Sequence, residues 1–354
     1  FRGWRYNQET VGDMASVLCP PYDMIDEATQ EALKRQNEYN VIHLEAGEGL
    51  DWTTSAKEQY KSTSGLFDRW RQDGVLRQDA EPSYYVMRHS FPMGGKNMVR
   101  VGLIASVGLE DYSTRQVLPH EFTQAPAIQD RVWLMESLSA NISPIMSIYR
   151  DAEGELDRLY QQVMQGTPEF DSTDDSGSAT ALWRVSDSGV QSQISEFFSI
   201  RPIYLADGHH RYEAARQYQL DRHAEDPRAK AANLAHNFVM MNLISFDDPG
   251  LVVLGYHRTL NGVPADKLAN IKAKLDELFD MEAISGSSDS LIEQVDRLGA
   301  KRRALASVDN GGAKMLTLKD SAVKPDWGSL AVSEAWILEE QVLRPELGDA
   351  TLDH

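Results

Sequence analysis

The chain has 354 residues, too long for one small core and suited to roughly two domains. Its apolar share of 42% and charged share of 25% exclude a disordered or fibrous chain. Lys and Arg number 35 against 54 Asp and Glu, a net charge of −19, and the densest basic stretches, Lys301-Arg302-Arg303 and Arg222-His223, are short and interrupted by acids, which argues against general DNA or RNA binding.

No apolar run approaches the roughly 20 residues that cross a bilayer, so no membrane partner is expected. A single cysteine, Cys19, forms no internal disulfide, which points to a reducing, cytoplasmic setting and leaves no multi-cysteine zinc site.

In chain order, Asp26 to Arg35 reads as a helix with Asp26 as its N-cap, and Trp52 to Gln72 as a longer helix with Tyr60, Leu66, Phe67 and Trp70 on one face. Ser83 to Phe91 and Met98 to Val107 read as a hairpin around Met93-Gly94-Gly95-Lys96-Asn97. Lys96 there is followed by Asn rather than Ser or Thr, so this is not a P-loop. A helix is predicted from Pro126 to Ala140, a strand at Ile145 to Tyr149 and a helix from Gly154 to Met164. Asp171 to Ser178 resembles a calcium loop but has Ser176 where Gly is needed, and reads as a plain loop. Further on come a strand at Trp183 to Val185, a helix at Gln191 to Phe198, and a strand from Ile203 that passes through Asp207-Gly208 into a helix from His209 to His223. Strands are expected at Asn237 to Ser245 and Leu251 to Leu254. The last hundred residues alternate again: helix 265–279, a strand near Met281, helix 291–298, strands 304–308 and 314–318, helix 332–343. Such alternation implies an α/β (α+β) fold rather than a bundle or sandwich.

The strongest chemical signal is Asp207-Gly208-His209-His210-Arg211. Basic residues are unfavourable at a helix N-terminus, where the dipole is positive, by a few tenths of a kcal/mol to about 1 each. A bound phosphate reverses that sign, and the bare Gly208 backbone lets it approach, so the pentad reads as a phosphate site. The competing readings are a surface turn with a chance basic cluster, and a metal site. For the latter, adjacent His side chains diverge and no third ligand is near in sequence. A second constellation, Pro119-His120-Glu121-Phe122-Thr123, lacks the second His of a zinc protease, since Gln124 stands there. Glu121 is either a general base or a solvated loop carboxylate. Cys19-Pro20-Pro21-Tyr22-Asp23 is a rigid turn that holds Tyr22 and Asp23, and in Gly255-Tyr256-His257-Arg258 the His and Arg are weak candidates for an anion.

Together these motifs resemble the family catalogued as domain of unknown function 1015. The matching pieces are Cys19 to Asp23, Asn40-Val-Ile-His-Leu44, Leu109-Glu-Asp-Tyr112, His120 to Thr123, Asp130-Arg131, Asn141-Ile-Ser-Pro-Ile145 and Ala206 to Ala215. A narrower resemblance, confined to His120-Glu121 and Asp207 to Arg211, is to the free-serine kinases of the ParB/sulfiredoxin-like superfamily. It implies a mixed-sheet ParB-like core at 119–260, between an N-terminal α/β lobe at 1–118 and a C-terminal α/β segment at 261–354. It further implies a Glu base at Glu121 with His120 and Asp207 beside it, and nucleotide phosphate on Gly208, His209, His210 and Arg211. Tyr22, Asp23, Thr123, Asp130, Arg131, His257 and Arg258 are expected to hold substrate. ADP or ATP with Mg²⁺ is the implied cofactor set, with free serine the implied acceptor. The rivals are a nucleotide switch or NTPase, and a non-catalytic anion binder.

Two departures are visible. The family tends to carry Pro-Thr-His-Arg where this chain has Gly255-Tyr256-His257-Arg258. Its members also usually continue into a Lys-Ser/Thr segment that does not appear before His354. Sulfiredoxin-type redox chemistry is not expected, because His209 stands where those proteins carry cysteine.

Overall fold

A computed structural model describes residues 1–46, 60–121, 123–254, 257–299 and 303–348, with Asp23 described by its backbone alone. The chain divides into two compact units, Phe1–Val252 and Val253–His354.

The first unit is built on an eight-stranded sheet of order β5-β9-β6-β10-β4-β3-β8-β7. Its strands are β3 (Tyr84–Met93), β4 (Lys96–Gly108), β5 (Val117–Leu118), β6 (Ile145–Tyr149), β7 (Phe170–Thr173), β8 (Ala179–Val185), β9 (Ile203–Asp207) and β10 (Phe238–Ser245). Two short strands, β1 (Trp4–Tyr6) and β2 (Leu76–Gln78), pair separately. The sheet is mixed, because β5/β9 and β6/β10 are parallel and the other neighbours antiparallel, so the expected α/β class holds. It crosses the expected boundary near residue 118, since β4 pairs with β10 from Phe238↔Gly108 to Ile244↔Gly102.

The helices of this unit are α1 (Glu27–Gln36), α2 (Lys61–Gln72), α3 (Ala125–Leu138), α4 (Glu155–Val163), α5 (Ser188–Phe198) and α6 (His209–Glu225). Alternation along the strands puts Val86, Leu103, Leu205, Met241 and Leu243 on one face, in one core with Leu156 and Tyr160 of α4, Ile194 and Phe197 of α5 and Tyr212 of α6. A second core joins Phe67 and Trp70 of α2 to Leu134 and Leu138 of α3.

Most predicted elements are found. Asp26 caps α1 by accepting from the Thr29 amide at 2.8 Å. Gly94 and Gly95, with φ of 56° and 73°, make the tight turn of the β3–β4 hairpin. Residues 52–59 of the second predicted helix lie outside the described residues. Three expectations are corrected. Residues 171–173 of the supposed loop belong to edge strand β7, paired with β8, and the turn follows at Asp174, whose carboxylate accepts the Ser176 and Ser178 amides. Leu251 to Leu254 is irregular, because Asp248 turns the chain back over β4: its carboxylate accepts the amides of Val101 and Gly250. The last predicted helix starts later, at Glu334, and runs on to Leu347, widened into a π turn at Leu338–Leu343 ahead of Pro345. Proline brings no N–H and crowds the carbonyl four residues back, which accounts for the widening.

The second unit packs α7 (Ala265–Leu278) and the C-terminal helical turns against an antiparallel sheet of β11 (Phe279–Ile284), β13 (Gly312–Leu318) and β12 (Ala304–Asp309). Its own core includes Leu278, Phe279, Leu316, Trp327 and Ile337. No helix of the described residues is long and apolar enough to cross a membrane.

Gly250 lies so close to the β4 backbone that a Cβ there would strike the Val99 carbonyl. Gly250→Ala is therefore expected to lower the unfolding free energy by about 1–3 kcal/mol, as overpacking against backbone does. Urea denaturation checks this, and an unchanged midpoint would show that the turn relaxes freely.

Candidate functional site at the starts of two helices

The order β9–turn–α6 follows from local chemistry. A register shift between β6 and β9 pairs Met146 with Asp207 and Ser147 with Leu205, so β9 carries one extra residue just before the turn. Gly208 then takes φ 91°, the left-handed conformation that side-chain-bearing residues avoid. A Cβ at that position would fall 2.8 Å from a terminal nitrogen of Arg211. Gly208 offers no side chain to cap α6, and the first turn of the helix holds no acid. The start of α3 is similar: Gln124 makes no side-chain cap and its first turn holds no acid. The two starts meet, since the Gln124 amide donates to His210 Nε2 at 3.0 Å. Two uncapped, positive helix ends thus face the loop that carries Glu121.

Within that loop the Glu121 carboxylate is about half exposed, and one of its oxygens lies 2.9 Å from Nδ1 of His209, itself 1% exposed. The His120 amide donates to His209 Nε2 at 3.3 Å, the His120 Nδ1–H donates to the Leu205 carbonyl at 2.8 Å, and the two rings meet edge to face. Burial lowers the pKa of His209, with Glu121 opposing that effect. The imidazole is accordingly favoured in its neutral form.

The fold supplies the third metal-ligand candidate that the local sequence lacks: ligand atoms of His120, Glu121 and His209 lie within 4.8 Å of one another. The donor state argues against a preformed metal centre. His209 Nε2 accepts a backbone proton, so its own proton sits on Nδ1, and neither ring nitrogen keeps a free lone pair for a metal.

Arg211 is placed differently from expectation. One terminal nitrogen donates to Asp207 Oδ2 at 2.7 Å and the other to the Pro144 carbonyl at 2.8 Å. Its side chain, 14% exposed, ties α6 to the Asn141-Ile-Ser-Pro loop rather than reaching outward. Asp207 remains half exposed at the mouth.

Asp130 and Arg131 are not at a surface. Each is 4% exposed. Arg131 donates to Asp130 Oδ2 at 2.7 Å, to Glu45 Oε1 at 3.1 Å and to the Tyr60 hydroxyl at 2.8 Å, while Tyr60 donates to Asp130 at 3.0 Å. Its guanidinium lies 4.1 Å over the Tyr22 ring, and Ser143 donates to Glu45 Oε2 at 2.9 Å. Burial opposes the Arg131 charge, yet Tyr60, Glu45 and Asp130 together raise its pKa above the usual arginine value. Glu45, Tyr60 and Ser143 carried no chemical signal in the sequence, although Glu45 directly follows one quoted motif and Ser143 sits inside another.

A cavity of about 40 Å³, room for a water or two, is lined by Glu45, Arg131, Ser143, Ile145 and Arg211. A larger concavity of about 380 Å³ lies by Trp4, Tyr6, Met14, Leu18, Arg77 and Phe170. Neither is lined by Glu121 or His209. Thr123 sits partly buried in the Glu121 loop, and the Asp23 side chain falls outside the described residues. His257 and Arg258 belong to the second unit, where Arg258 pairs with Glu339 at 3.2 Å. Burial, with Glu45 adding to it, pushes the Cys19 thiol up to about 12, so it is no nucleophile near neutral pH.

This arrangement, one motif from each part of the first unit converging on one buried network, defines the class: an α/β protein with an acid–histidine cluster at paired helix starts. Residues 1–333 match the family described as "Protein of unknown function (DUF1015)", and the chain belongs to that family. No curated protein and no solved structure matches it.

Arg131→Met leaves two carboxylates buried without their counter-charge. It is expected to lower stability by about 3–5 kcal/mol in urea denaturation. A loss under about 1 kcal/mol would show that the network is not what holds the motifs together.

The lowered pKa of His209 has its own signature. The folded state binds this proton less readily than the unfolded chain, so stability is complete above the ordinary imidazole value of 6.5 and falls as pH drops toward the lowered value. In His209→Gln, which keeps an acceptor but does not titrate, that part of the pH dependence disappears from unfolding curves. An unchanged slope would contradict the assignment.

Proposed function

We propose that the protein is a nucleotide-dependent phosphotransferase that phosphorylates a small hydroxyl metabolite, with free serine as acceptor and O-phosphoserine as product. One observation carries the reading: a half-exposed carboxylate, Glu121, stands 2.9 Å from a buried histidine at an uncapped helix start. That proximity supports a base and an anion cradle acting on one ligand. The likeness of His120-Glu121 and Asp207 to Arg211 to the motifs of the free-serine kinases, in the same order, supports it, and with it a ParB-like core.

In this scheme the acceptor hydroxyl oxygen attacks the terminal phosphorus of ADP or ATP. Its proton passes to the Glu121 carboxylate, and the phosphorus–oxygen bond to the nucleotide breaks, releasing AMP or ADP. The backbone at Gly208 and the first-turn amides of α6, with the α3 start close by, stabilise the charge on the phosphoryl oxygens. Arg211 holds this backbone from behind, through Asp207 and Pro144.

Magnesium suits the carboxylate oxygens of Asp207 and Glu121 but not the two imidazoles, because it prefers hard oxygen ligands and takes many of them from phosphates and water. Bound with the nucleotide, it would neutralise phosphate charge, and Asp207 and Glu121 are the carboxylates that would hold it. The lone cysteine and its protonated thiol accord with a reducing, cytoplasmic setting.

Phosphorus NMR of the protein incubated with ADP or ATP, Mg²⁺ and serine should show phosphoserine. Glu121→Gln should lower turnover by about 10²- to 10⁴-fold while leaving calorimetric nucleotide affinity nearly unchanged. Absence of any phosphorylated product across a panel of hydroxy metabolites ends the proposal. Nucleotide hydrolysis without an acceptor would favour the switch reading instead.

A further inference from the structure

The same site holds a second device. We infer that His209 and His210 are positioning residues for the Glu121 loop, acting as hydrogen-bond acceptors and not as phosphate ligands. The inference rests on the reading of Glu121 as the base only for its catalytic consequence, since the geometry stands without it.

Two backbone amides bracket Glu121 in the chain. The one before it, at His120, donates to His209 Nε2 at 3.3 Å, and the one three residues after it, at Gln124, donates to His210 Nε2 at 3.0 Å. A nitrogen that accepts a proton must keep its lone pair, so both rings carry their single proton on Nδ1. For His209 that atom lies 2.9 Å from a Glu121 carboxylate oxygen. A third bond, His120 Nδ1–H to the Leu205 carbonyl, fastens the same loop to β9. The adjacent histidines thus pin both ends of a short loop across the start of α6. Their Nε2 atoms, the tips of the side chains, have no proton to offer a phosphate. That part falls to the backbone amides of the helix start.

The charged groups facing His209 are Glu121, Asp207, His120 and His210, with Arg211 next on the same helix. Among the described residues, Glu121 is the carboxylate whose oxygen comes within 4.0 Å of a His209 ring nitrogen.

Long-range nitrogen–proton correlation spectra of the imidazoles in the intact protein at neutral pH test this directly. The expected result is the Nδ1–H tautomer for both rings. An Nε2–H form of either ring, which for His209 is the form that offers Nδ1 to a metal ion, overturns the inference. Hydrogen exchange at the Gln124 amide is a second arm. It should quicken about fivefold or more in His210→Ala, the effect of losing one ordinary hydrogen bond, and stay near wild type in His210→Gln, whose side-chain oxygen replaces Nε2. Equal exchange in all three proteins likewise overturns it. If phosphoserine is formed, His210→Ala lowers kcat while the nucleotide KM holds, and His210→Gln restores it. If no phosphoserine forms in the wild type, yet the tautomers and exchange are as stated, the kinase reading fails and the loop assignment stands.

Discussion

The first unit depends on a buried cation. Arg131 sits at 4% exposure in a helix of a protein with a large acidic surplus, and its charge is tolerable only because Glu45, Asp130 and Tyr60 surround it. Each partner arrives from a different stretch of chain: Glu45 from the turn after α1, Tyr60 from the start of α2, Asp130 from α3 itself. The Tyr22 ring closes one side. Burying a guanidinium forces these segments into one register, because any slip would strand a charge where desolvation is expensive.

From that centre the constraint propagates outward by single bonds. Ser143 reaches Glu45, the neighbouring Pro144 carbonyl takes Arg211, and Arg211 takes Asp207. Asn40, fully buried, holds the carbonyls of Ser16 and Leu18 ahead of the Pro-Pro turn. Tyr212 both donates to and accepts from Glu110. Conspicuous side chains at widely spaced positions thus do one mechanical job. They hold a strand end and two helix starts rigid while the chemistry is left to a short loop. Rigid support under a site is what preorganisation requires, since a carboxylate displaced by an ångström no longer meets its substrate.

The fold was largely legible, and the reasons are particular. β-Branched and aromatic residues on either side of a Gly-Gly turn marked β3 and β4. Asp26 and the Gly94-Gly95 pair carried cap and turn chemistry that acts within a few residues. Where the sequence misled, long-range contacts decided: β7 is a strand only because β8 lies beside it. At the site, the pentad at 207–211 and His120-Glu121 were visible as local oddities, basic residues at a helix start and an acid next to a histidine. That the two meet was not visible, because no local rule states which loop lies across which helix. Arg211 was misjudged for the same reason. Its charge suggested phosphate, but Pro144 and Asp207 are contacts made through the tertiary fold. Burial hides function as well. Asp130-Arg131 looked like a substrate clamp in the sequence and lies in a buried ion cluster.

The proposed anion site in an acidic protein raises an apparent contradiction, which the local geometry answers. Charges spread over the surface are screened within about 8 Å at physiological salt, so a net charge of −19 acts weakly on a ligand already in contact. What the ligand meets is set by the nearest groups. Here those are backbone amides at two helix starts whose first turns hold no acid, with two close carboxylates, Glu121 beside His209 and Asp207 paired with Arg211. The surplus of acid instead slows the approach of any free polyanion, nucleic acid above all. A small nucleotide, whose charge a divalent ion can halve, is hindered far less. The same distribution that argues against a nucleic-acid surface is therefore compatible with a nucleotide site, provided the local field at α6 stays positive. Arg211, held behind Gly208 and paired with only one acid, keeps it so.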